Sequence, residues 1–262
     1  MTHKFITLFA AGITAVFATI FLLSSLQPVA ADTDTLVLYD GALGGTPDEQ
    51  LFEYVAANTI LPPQDVMATQ TYSAPLTILD TMPEIRDYAG YGITPTLAPV
   101  LTRTLGFTLN FTIRLSSEAH IDTDRAGFSV ILLGSDAQGI ELAFWEDEIW
   151  AQADDPLFTH AEGAAYDTTA VLTDYALSIH DDSYQLAINT TTILTGSVRD
   201  YSAWEPPLPG MDDPYEQPNF IFFGDNTTSA QGETWFAYAS ITSNAPSVPE
   251  TNNIVYLPVI LK

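Results

Sequence analysis

The sequence predicts an all-β protein in which two antiparallel sheets pack face to face. From Asp32 onward, apolar and polar residues alternate in short runs, which is the period of a strand with one covered face. Clusters of Gly, Asp, Asn and Ser separate these runs, and little of the chain has the spacing of an amphipathic helix. Antiparallel strands in this number must close into a sandwich or a barrel to hide their apolar faces.

Two segments illustrate the strand pattern. In residues 105–115 (LGFTLNFTIRL) the apolar residues fall on the odd positions, so one face of the strand is buried and the other meets solvent. Residues 127–133 (GFSVILL) are apolar almost throughout and end at a Gly-Ser-Asp turn. This second run predicts a strand that is buried on both faces.

Several neighbouring runs predict hairpins. Residues 139–152 read as two strands joined by a turn, with the acidic residues Glu146, Asp147 and Glu148 near the tip. Residues 175–194 predict a meander of three short strands, which closes only short loops. Two further strands are predicted at 219–225 and 234–241.

Two stretches rich in proline are predicted to be long surface loops, because proline cannot donate a hydrogen bond to a strand partner. They are Pro62 to Pro75 and Tyr201 to Pro218. Loops of this length are more often functional or mobile than merely connecting.

The N-terminal segment has the features of a secretory signal peptide that is cleaved after Ala31. Lys4 supplies a positive charge, residues 5–26 carry none, and Val29 and Ala31 are small residues that signal peptidase accepts. The apolar run of about 20 residues is also long enough to be kept as a membrane anchor. Cleavage is the preferred interpretation, and both outcomes predict a secreted or cell-surface protein.

The predicted organisation has three parts: a signal peptide at 1–31, one β-sandwich domain at 32–245, and a linker with a short apolar tail at 246–262. The part after cleavage, about 230 residues, fits one large domain. The tail has about eight apolar residues, too few to span a membrane, so we expect an added strand or a recognition tag.

Charge and cysteine content restrict the partners. The chain has 33 Asp and Glu against 7 Lys and Arg, a formal net charge of −26. Nucleic acid and anionic membranes are therefore poor partners, whereas neutral sugars, cationic surfaces and divalent cations remain. The chain contains no cysteine, so its stability depends on burial and hydrogen bonds rather than disulfides.

Five segments carry a resemblance to known proteins: 38–41 (LYDG), 124–130 (DRAGFSV), 139–152, 158–163 (FTHAEG) and 218–220 (PNF). Together they resemble a choice-of-anchor family, whose members are secreted single-domain proteins of unassigned activity with varied C-terminal sorting tails. The resemblance covers roughly residues 36–245. It implies export and a single domain, without implying an activity.

The strand, turn, strand pattern of 175–194 resembles, more distantly, the concanavalin A-like and laminin-G-like superfamily. This resemblance implies a two-sheet antiparallel jelly-roll sandwich. It also implies a glycan or the extracellular matrix as partner, often with calcium, because members of that superfamily bind glycans and some cleave them.

The acidic triplet is a candidate for catalysis. In a strand that continued straight through it, Glu146 and Glu148 would share a face about 6.6 Å apart. A glycosidase needs two carboxyl groups about 5 to 9.5 Å apart. Jelly-roll glycosidases space their acids along one strand, whereas here three acids are adjacent, so a solvated hairpin tip is the preferred interpretation.

Acidic turns are candidates for calcium, which takes several oxygen ligands from carboxylates and backbone carbonyls. Asp122, Asp124 and Asp225 are the preferred ligands. Paired acids in turns are commonly turn formers, and the chain has no EF-hand spacing.

Aromatic residues near turns are candidates for glycan binding, because sugar rings present apolar faces that stack on Trp and Tyr. The candidates are Trp145, Trp150, Tyr201 and Trp204. Core packing is the preferred interpretation of Trp145 and Trp150, and Trp204 fits either role.

Taken together, these features predict a non-catalytic extracellular recognition or surface-matrix module that binds a glycan, with calcium as an expected stabilising ion. Two alternatives stay open. One is a polysaccharide-cleaving glycoside hydrolase that uses Glu146 and Glu148, and the other is a structural coat protein without a small ligand. Convergence of the acids and tryptophans on one face would favour a ligand, and dispersal would favour the coat protein.

Overall fold

The computed structural model describes residues 32–58, 65–93, 97–206 and 213–245. The predicted signal peptide and the predicted C-terminal tail lie outside these ranges. Within them the chain forms fifteen strands and three short 3₁₀ turns but no α-helix, and no helix there is long and apolar enough to span a bilayer. The strands are β1 Asp32–Asp40, β2 Glu53–Asn58, β3 Thr69–Ser73, β4 Leu76–Asp80, β5 Asp87–Gly92, β6 Phe107–His120, β7 Ser129–Leu133, β8 Gly139–Phe144, β9 Glu148–Asp154, β10 Leu157–Ala165, β11 Thr173–His180, β12 Ser183–Ile188, β13 Thr191–Ser197, β14 Ile221–Asp225 and β15 Ala230–Ala245.

The strands form two antiparallel sheets, which confirms the predicted all-β sandwich. The eight-stranded sheet has the order β13, β12, β11, β6, β15, β4, β3, and β1 also pairs with the long strand β15. The seven-stranded sheet has the order β10, β9, β8, β7, β14, β5, β2. The predicted meander is present as β11, β12 and β13, and the two predicted C-terminal strands are present as β14 and β15.

The core lies between the two sheets. Strand β6 alternates buried and partly exposed positions from Phe107 to Leu115, as its sequence predicts. Its central ring, Phe111, meets Phe144 of β8 at 6.3 Å and Phe223 of β14 at 5.4 Å between centroids, both edge to face. The two facing sheets therefore interlock through aromatic side chains, a favoured geometry for such rings.

Strands β7 and β8 are buried on both faces, as predicted for β7. One face meets the core. The other face is covered in part by residues 199–206 and 213–220, here called the cover segment, and Ala143 of β8 packs instead against Ala126 and Trp150. Ile131 and Leu133 of β7 pack against Tyr201, Tyr215 and Phe220 of the cover segment.

One predicted loop contains a strand. The prediction placed Pro62 to Pro75 in a surface loop, but Thr69–Ser73 forms β3 and pairs with β4. Strand β3 is an edge strand with no fully buried residue. A strand that buries so little has a polar sequence, and its prolines flank it rather than interrupt it, which hides it from a hydrophobic pattern. The second predicted loop is free of strands in its described parts, 201–206 and 213–218.

The predicted hairpin at 139–152 is present. Strand β8 ends at Phe144 and β9 begins at Glu148, and the backbone N–H of Trp145 donates to the carbonyl oxygen of Glu148 at 2.8 Å. The acidic triplet therefore lies at the tip, with Glu146 and Asp147 exposed.

Candidate functional site

Two tryptophans and two histidines form a continuous array of rings beside the hairpin. The ring of His120 stacks on Trp145 with 4.4 Å between centroids and 11° between planes. Trp145 meets Trp150 edge-on at 5.4 Å, and Trp150 stacks on His160 at 4.1 Å and 12°. We call these four residues the aromatic cluster.

Both sheets contribute to the aromatic cluster. Trp150 lies on the outer face of β9, since its neighbours Ile149 and Ala151 face the core. His160 comes from β10, the adjacent edge strand. His120 is the last residue of β6 in the other sheet. The cluster therefore ties the end of one sheet to the outer face of the other.

The loop 121–127 holds the cluster in place. The indole Nε1–H of Trp145 donates to the carbonyl oxygen of Arg125 at 2.8 Å. The carboxylate of Asp124 accepts the backbone N–H of His160 at 2.8 Å. Ala126 is buried against Trp150. Because the loop contacts both tryptophans and the backbone of His160, it fixes the spacing of the rings.

A glutamate holds each histidine. Glu118 lies 2.9 Å from Nδ1 of His120, and Glu148 lies 3.3 Å from Nε2 of His160. Burial raises the pKa of Glu118, while the bonds from His120 and the backbone N–H of Gly127 lower it; the net change is an increase. The two imidazole side chains are 29% and 25% exposed, so the array is preorganised yet reaches solvent at both ends.

The acidic triplet does not form one carboxylate face, because the strand does not continue through it. Glu146 lies in the turn, and its Oε1 accepts the backbone N–H of Glu118 at 3.1 Å. Glu148 begins β9 and turns to His160 on β10. The Glu146 carboxylate thus bonds to β6 and the Glu148 carboxylate bonds to β10. The two glutamates do not lie on one face of a continuous strand, which is the arrangement considered for a hydrolase.

The four predicted aromatic residues divide into two pairs. Trp145 and Trp150 converge in the aromatic cluster, whereas Tyr201 and Trp204 lie in the cover segment near Tyr215. Trp150 and Tyr201 are 0% exposed, so their ring faces are engaged by the protein and are not open to a sugar. Trp145 and Trp204 are partly exposed, so a sugar ring can still stack on them. The turn sequence beside Tyr201 made it look accessible, but the cover segment folds onto the sheet.

A buried carboxyl group anchors the cover segment, and the sequence analysis did not single it out. Glu141 is 2% exposed and accepts hydrogen bonds from the Tyr215 hydroxyl at 2.6 Å and from Nδ2 of Asn226 at 2.9 Å. Burial raises the pKa of Glu141, and these two bonds oppose that increase. A single acid inside an otherwise apolar strand buried on both faces is the sequence feature that marks it.

The three aspartates predicted to bind calcium do not come together as one set of ligands. Asp122 accepts the backbone N–H of Asp124, and Asp124 accepts that of His160. Asp225 is fully buried, where it accepts the hydroxyl of Thr81 and the backbone N–H of Thr227. In the described part of the chain, no three His, Asp or Glu side chains are grouped so that they could hold a metal ion.

Two buried polar atoms beside the aromatic cluster lack a partner within the described residues: Nε1 of Trp150 and Oε1 of Gln152. One is a donor and the other an acceptor, and they lie two residues apart on the outer face of β9. Gln152 pairs with His160 across β9 and β10. Buried polar atoms in native proteins are nearly always met by protein, water or ligand, so these two need a polar partner.

Comparison with known proteins identifies the fold. No protein-family model matches the sequence, and no curated protein matches it. Among solved structures, the chain is similar to the carbohydrate esterase of the Shiga toxin-encoding bacteriophage phi24B, with 8% identity, 81% of this chain and 100% of that chain covered, and a TM-score of 0.52. The fold is the predicted two-sheet antiparallel jelly-roll sandwich.

Two further similarities are weaker. Family 7 alginate lyase A1-II' matches with 9% identity, 70% of this chain and 86% of that chain covered, and a TM-score of 0.43. Botulinum neurotoxin type C matches with 12% identity, with 81% of this chain and 48% of that chain covered, and with a TM-score of 0.45. At these identities and TM-scores, no property of either protein is carried over to this chain.

Proposed function

We propose that this chain is an exported recognition module that binds a glycan at the aromatic cluster. The observation that carries the proposal is the fixed array of His120, Trp145, Trp150 and His160, which reaches solvent through Trp145 and both imidazoles. Sugar rings present apolar faces that stack on such side chains. Export and membership of a choice-of-anchor family are part of the proposal, supported by the N-terminal segment and the five resembling segments.

The arrangement of the carboxylates favours binding over bond cleavage. Glu118 and Glu148 are each engaged by a histidine, and Glu146 by a backbone N–H. Each of these three carboxylates therefore has a contact within the protein that orients it, whereas a glycosidase uses two carboxyl groups that face the substrate. Rings held in place before the ligand arrives lose little conformational entropy on binding.

A matched pair of tryptophan variants tests the proposal. Trp145→Ala removes the more accessible tryptophan of the cluster, and Trp235→Ala removes a tryptophan of the other sheet that is also partly exposed, where Arg114 lies over its ring. The purified protein is screened on an oligosaccharide array, and the strongest ligand is titrated by calorimetry. We expect Trp145→Ala to weaken binding about tenfold or more and Trp235→Ala to leave it unchanged. Thermal melts of both variants establish that they are folded.

Two other results would each replace the proposal. Release of reducing ends from a polysaccharide, abolished by Glu146→Gln or Glu148→Gln, would make the protein a hydrolase. Assembly in solution without any saturable glycan site would make it a coat protein.

Calcium stabilisation also stays a proposal, based on the acidic turns and on the superfamily resemblance. Its test is the melting temperature of the purified protein in EDTA and in calcium chloride. A rise with calcium that Asp124→Asn removes supports a site at the loop 121–127. An equal rise with sodium chloride at matched ionic strength would reduce it to general charge screening.

A further inference from the structure

We infer that the aromatic cluster takes a glycan that carries free amino groups and rejects acidic glycans such as polyuronates. The inference rests on the proposed glycan binding and adds the charge class of the ligand. It follows from the charges that surround the rings.

Carboxylates border the aromatic cluster along the hairpin tip and the end of β6. Glu146 and Asp147 are exposed at the tip directly after Trp145, and the Glu148 side chain is 31% exposed beside His160. Glu118 lies beneath His120. Because Glu118 is buried and paired with His120, a ligand that stacks on Trp145 meets negative charge from Glu146, Asp147 and Glu148.

The guanidinium of Arg125, in the loop 121–127, is engaged on the side of the cover segment. The guanidinium of Arg125 donates to the carbonyl oxygens of Asp124 and Phe158 and lies over the Phe158 ring, 5.6 Å from its centroid. Phe158 stacks on Tyr201 of the cover segment, so this positive charge is directed towards the cover segment.

The remaining arginines of the described residues are engaged elsewhere. Arg103 and Arg199 form ion pairs with acids outside the cluster, and Arg86 pairs with Glu84. Arg114 lies over Trp235 on the eight-stranded sheet. At physiological ionic strength the Debye length is about 8 Å, so the carboxylates beside the rings, rather than distant charges, set the sign that a ligand encounters.

Two features of the cluster suit an amino sugar. The face of an indole ring attracts cations, and tryptophan is the strongest aromatic partner for them. The unpartnered Nε1–H of Trp150 and Oε1 of Gln152 are buried, and they supply one donor and one acceptor for a bridging water beneath the rings. An ammonium group would lie beside the exposed carboxylates, whereas a uronate would bring its carboxylate against like charge.

The test compares three probes of equal length on the purified protein: a glucosamine hexamer, an N-acetylglucosamine hexamer and a polyuronate hexamer, at pH 6 and low salt. We expect the glucosamine hexamer to bind about tenfold more tightly than the acetylated one, and the polyuronate to show no binding. The preference for the amine should shrink as sodium chloride is raised, because screening weakens exposed charge pairs.

Charge-neutral variants locate the effect. Glu146→Gln with Asp147→Asn keeps the shape of the tip and removes two exposed charges, and we expect it to reduce the amine preference while affinity for the acetylated hexamer is kept. Glu53→Gln with Asp34→Asn removes two exposed charges as well, one from the opposite edge strand β2 and one from β1 of the other sheet. This control should leave the preference unchanged.

The outcomes separate the two proposals. Tight binding of the polyuronate, or an amine preference that the tip variant does not alter, overturns the charge inference while glycan binding stands. Absence of binding by all three hexamers and by every sugar of the array overturns glycan binding itself.

Discussion

Trp150 and His160 stack across neighbouring strands β9 and β10 with their planes 12° apart and their centroids separated by 4.1 Å. The outer face of β9 therefore has an imidazole as its cover rather than an aliphatic side chain. Asp124 accepts a hydrogen bond from the backbone N–H of His160, and Glu148 contacts its imidazole ring. The pair links a fully buried tryptophan to a partly exposed ring, which makes it the connection between the domain interior and the proposed binding surface.

Replacing His160 by alanine tests that connection. The variant loses the stacking on Trp150 and leaves Glu148 without its ring partner, so we expect the free energy of unfolding to fall by about 1 kcal/mol. Urea denaturation followed by tryptophan fluorescence measures the change. His180→Ala is the control, because His180 has a 64% exposed side chain at the end of β11. Equal stability of the two variants would mean that the stacking contributes nothing.

The anchor beneath the cover segment predicts a difference between two substitutions of one residue. Glu141→Gln keeps an acceptor for Tyr215, whereas Glu141→Ala leaves the Tyr215 hydroxyl and the Asn226 amide without that partner. We expect the alanine variant to be less stable than the glutamine variant by about 1 to 3 kcal/mol, the cost of unpaired buried polar groups. Chemical denaturation measures both. Loss of the same stability in both variants would show that the negative charge, rather than the hydrogen bonds, holds the segment.

The stability of the protein should fall as the pH rises from mildly acidic to mildly basic. Burial raises the pKa values of Glu118, Glu141 and Asp225 in the folded state. Above the ordinary carboxyl range the folded state then binds more protons than the unfolded state, so each added pH unit favours unfolding until the raised pKa is passed. Self-repulsion at a net charge of −26 acts in the same direction.

Urea denaturation at pH 5 and at pH 8 measures this effect, and we expect the larger free energy of unfolding at pH 5. Glu141→Gln should show a smaller difference between the two pH values, because it removes one titrating group. Asp136 acts in the opposite direction. Partial burial raises its pKa and the Arg103 guanidinium lowers it, and the net change is a decrease, which favours stability at higher pH. Its side chain is 46% exposed, so its contribution is small. A larger free energy of unfolding at pH 8 would contradict the raised pKa values of the buried carboxyl groups.

An arginine clamp joins turns of the two sheets. Arg103 bonds to Asp136 of the β7–β8 turn through Nε and Nη2 and to Asp182 of the β11–β12 turn through Nη1. Bidentate geometry and the low exposure of the Arg103 side chain, 15%, make this pairing stronger than an ordinary surface ion pair.

Replacing Arg103 by alanine should therefore lower the free energy of unfolding by about 1 to 2 kcal/mol. Arg86→Ala is the matched control, because Arg86 is 57% exposed and forms a single contact of 3.7 Å with Glu84. That control should change stability by less than about 0.5 kcal/mol. Thermal and urea denaturation compare the two variants. An equal loss of stability in both would show that the Arg103 contacts do not stabilise the fold more than an ordinary surface ion pair.

Local patterns were enough to predict most of the fold. Strand β6 and the hairpin of β8 and β9 follow from alternation and turn residues that lie within a few positions of one another. Strand β3 did not follow, because an edge strand with no buried residue has little hydrophobic signal. The burial of Tyr201 did not follow either, since it depends on Gln152 and Glu141, which lie far away in the chain and bond to its hydroxyl.

The candidate site was predicted in part. Trp145 and Trp150 were singled out as aromatic residues beside a predicted turn, and the acidic tip was singled out for the spacing of its carboxylates. His120 and Glu118 were not, because they belong to β6 of the other sheet and reach Trp145 only through the packing of the two sheets. A single sequence carries no local record of such a contact.

The central claim is that a glycan binds at the aromatic cluster, and the indole N–H resonances of the protein test it most directly. The chain has four tryptophans, of which Trp145 and Trp150 belong to the cluster, Trp204 to the cover segment and Trp235 to the other sheet. Titration with the strongest array ligand, followed by nuclear magnetic resonance, should shift the signals of Trp145 and Trp150 and leave that of Trp235 in place. Saturable shifts confined to Trp204 or Trp235 would contradict the claim.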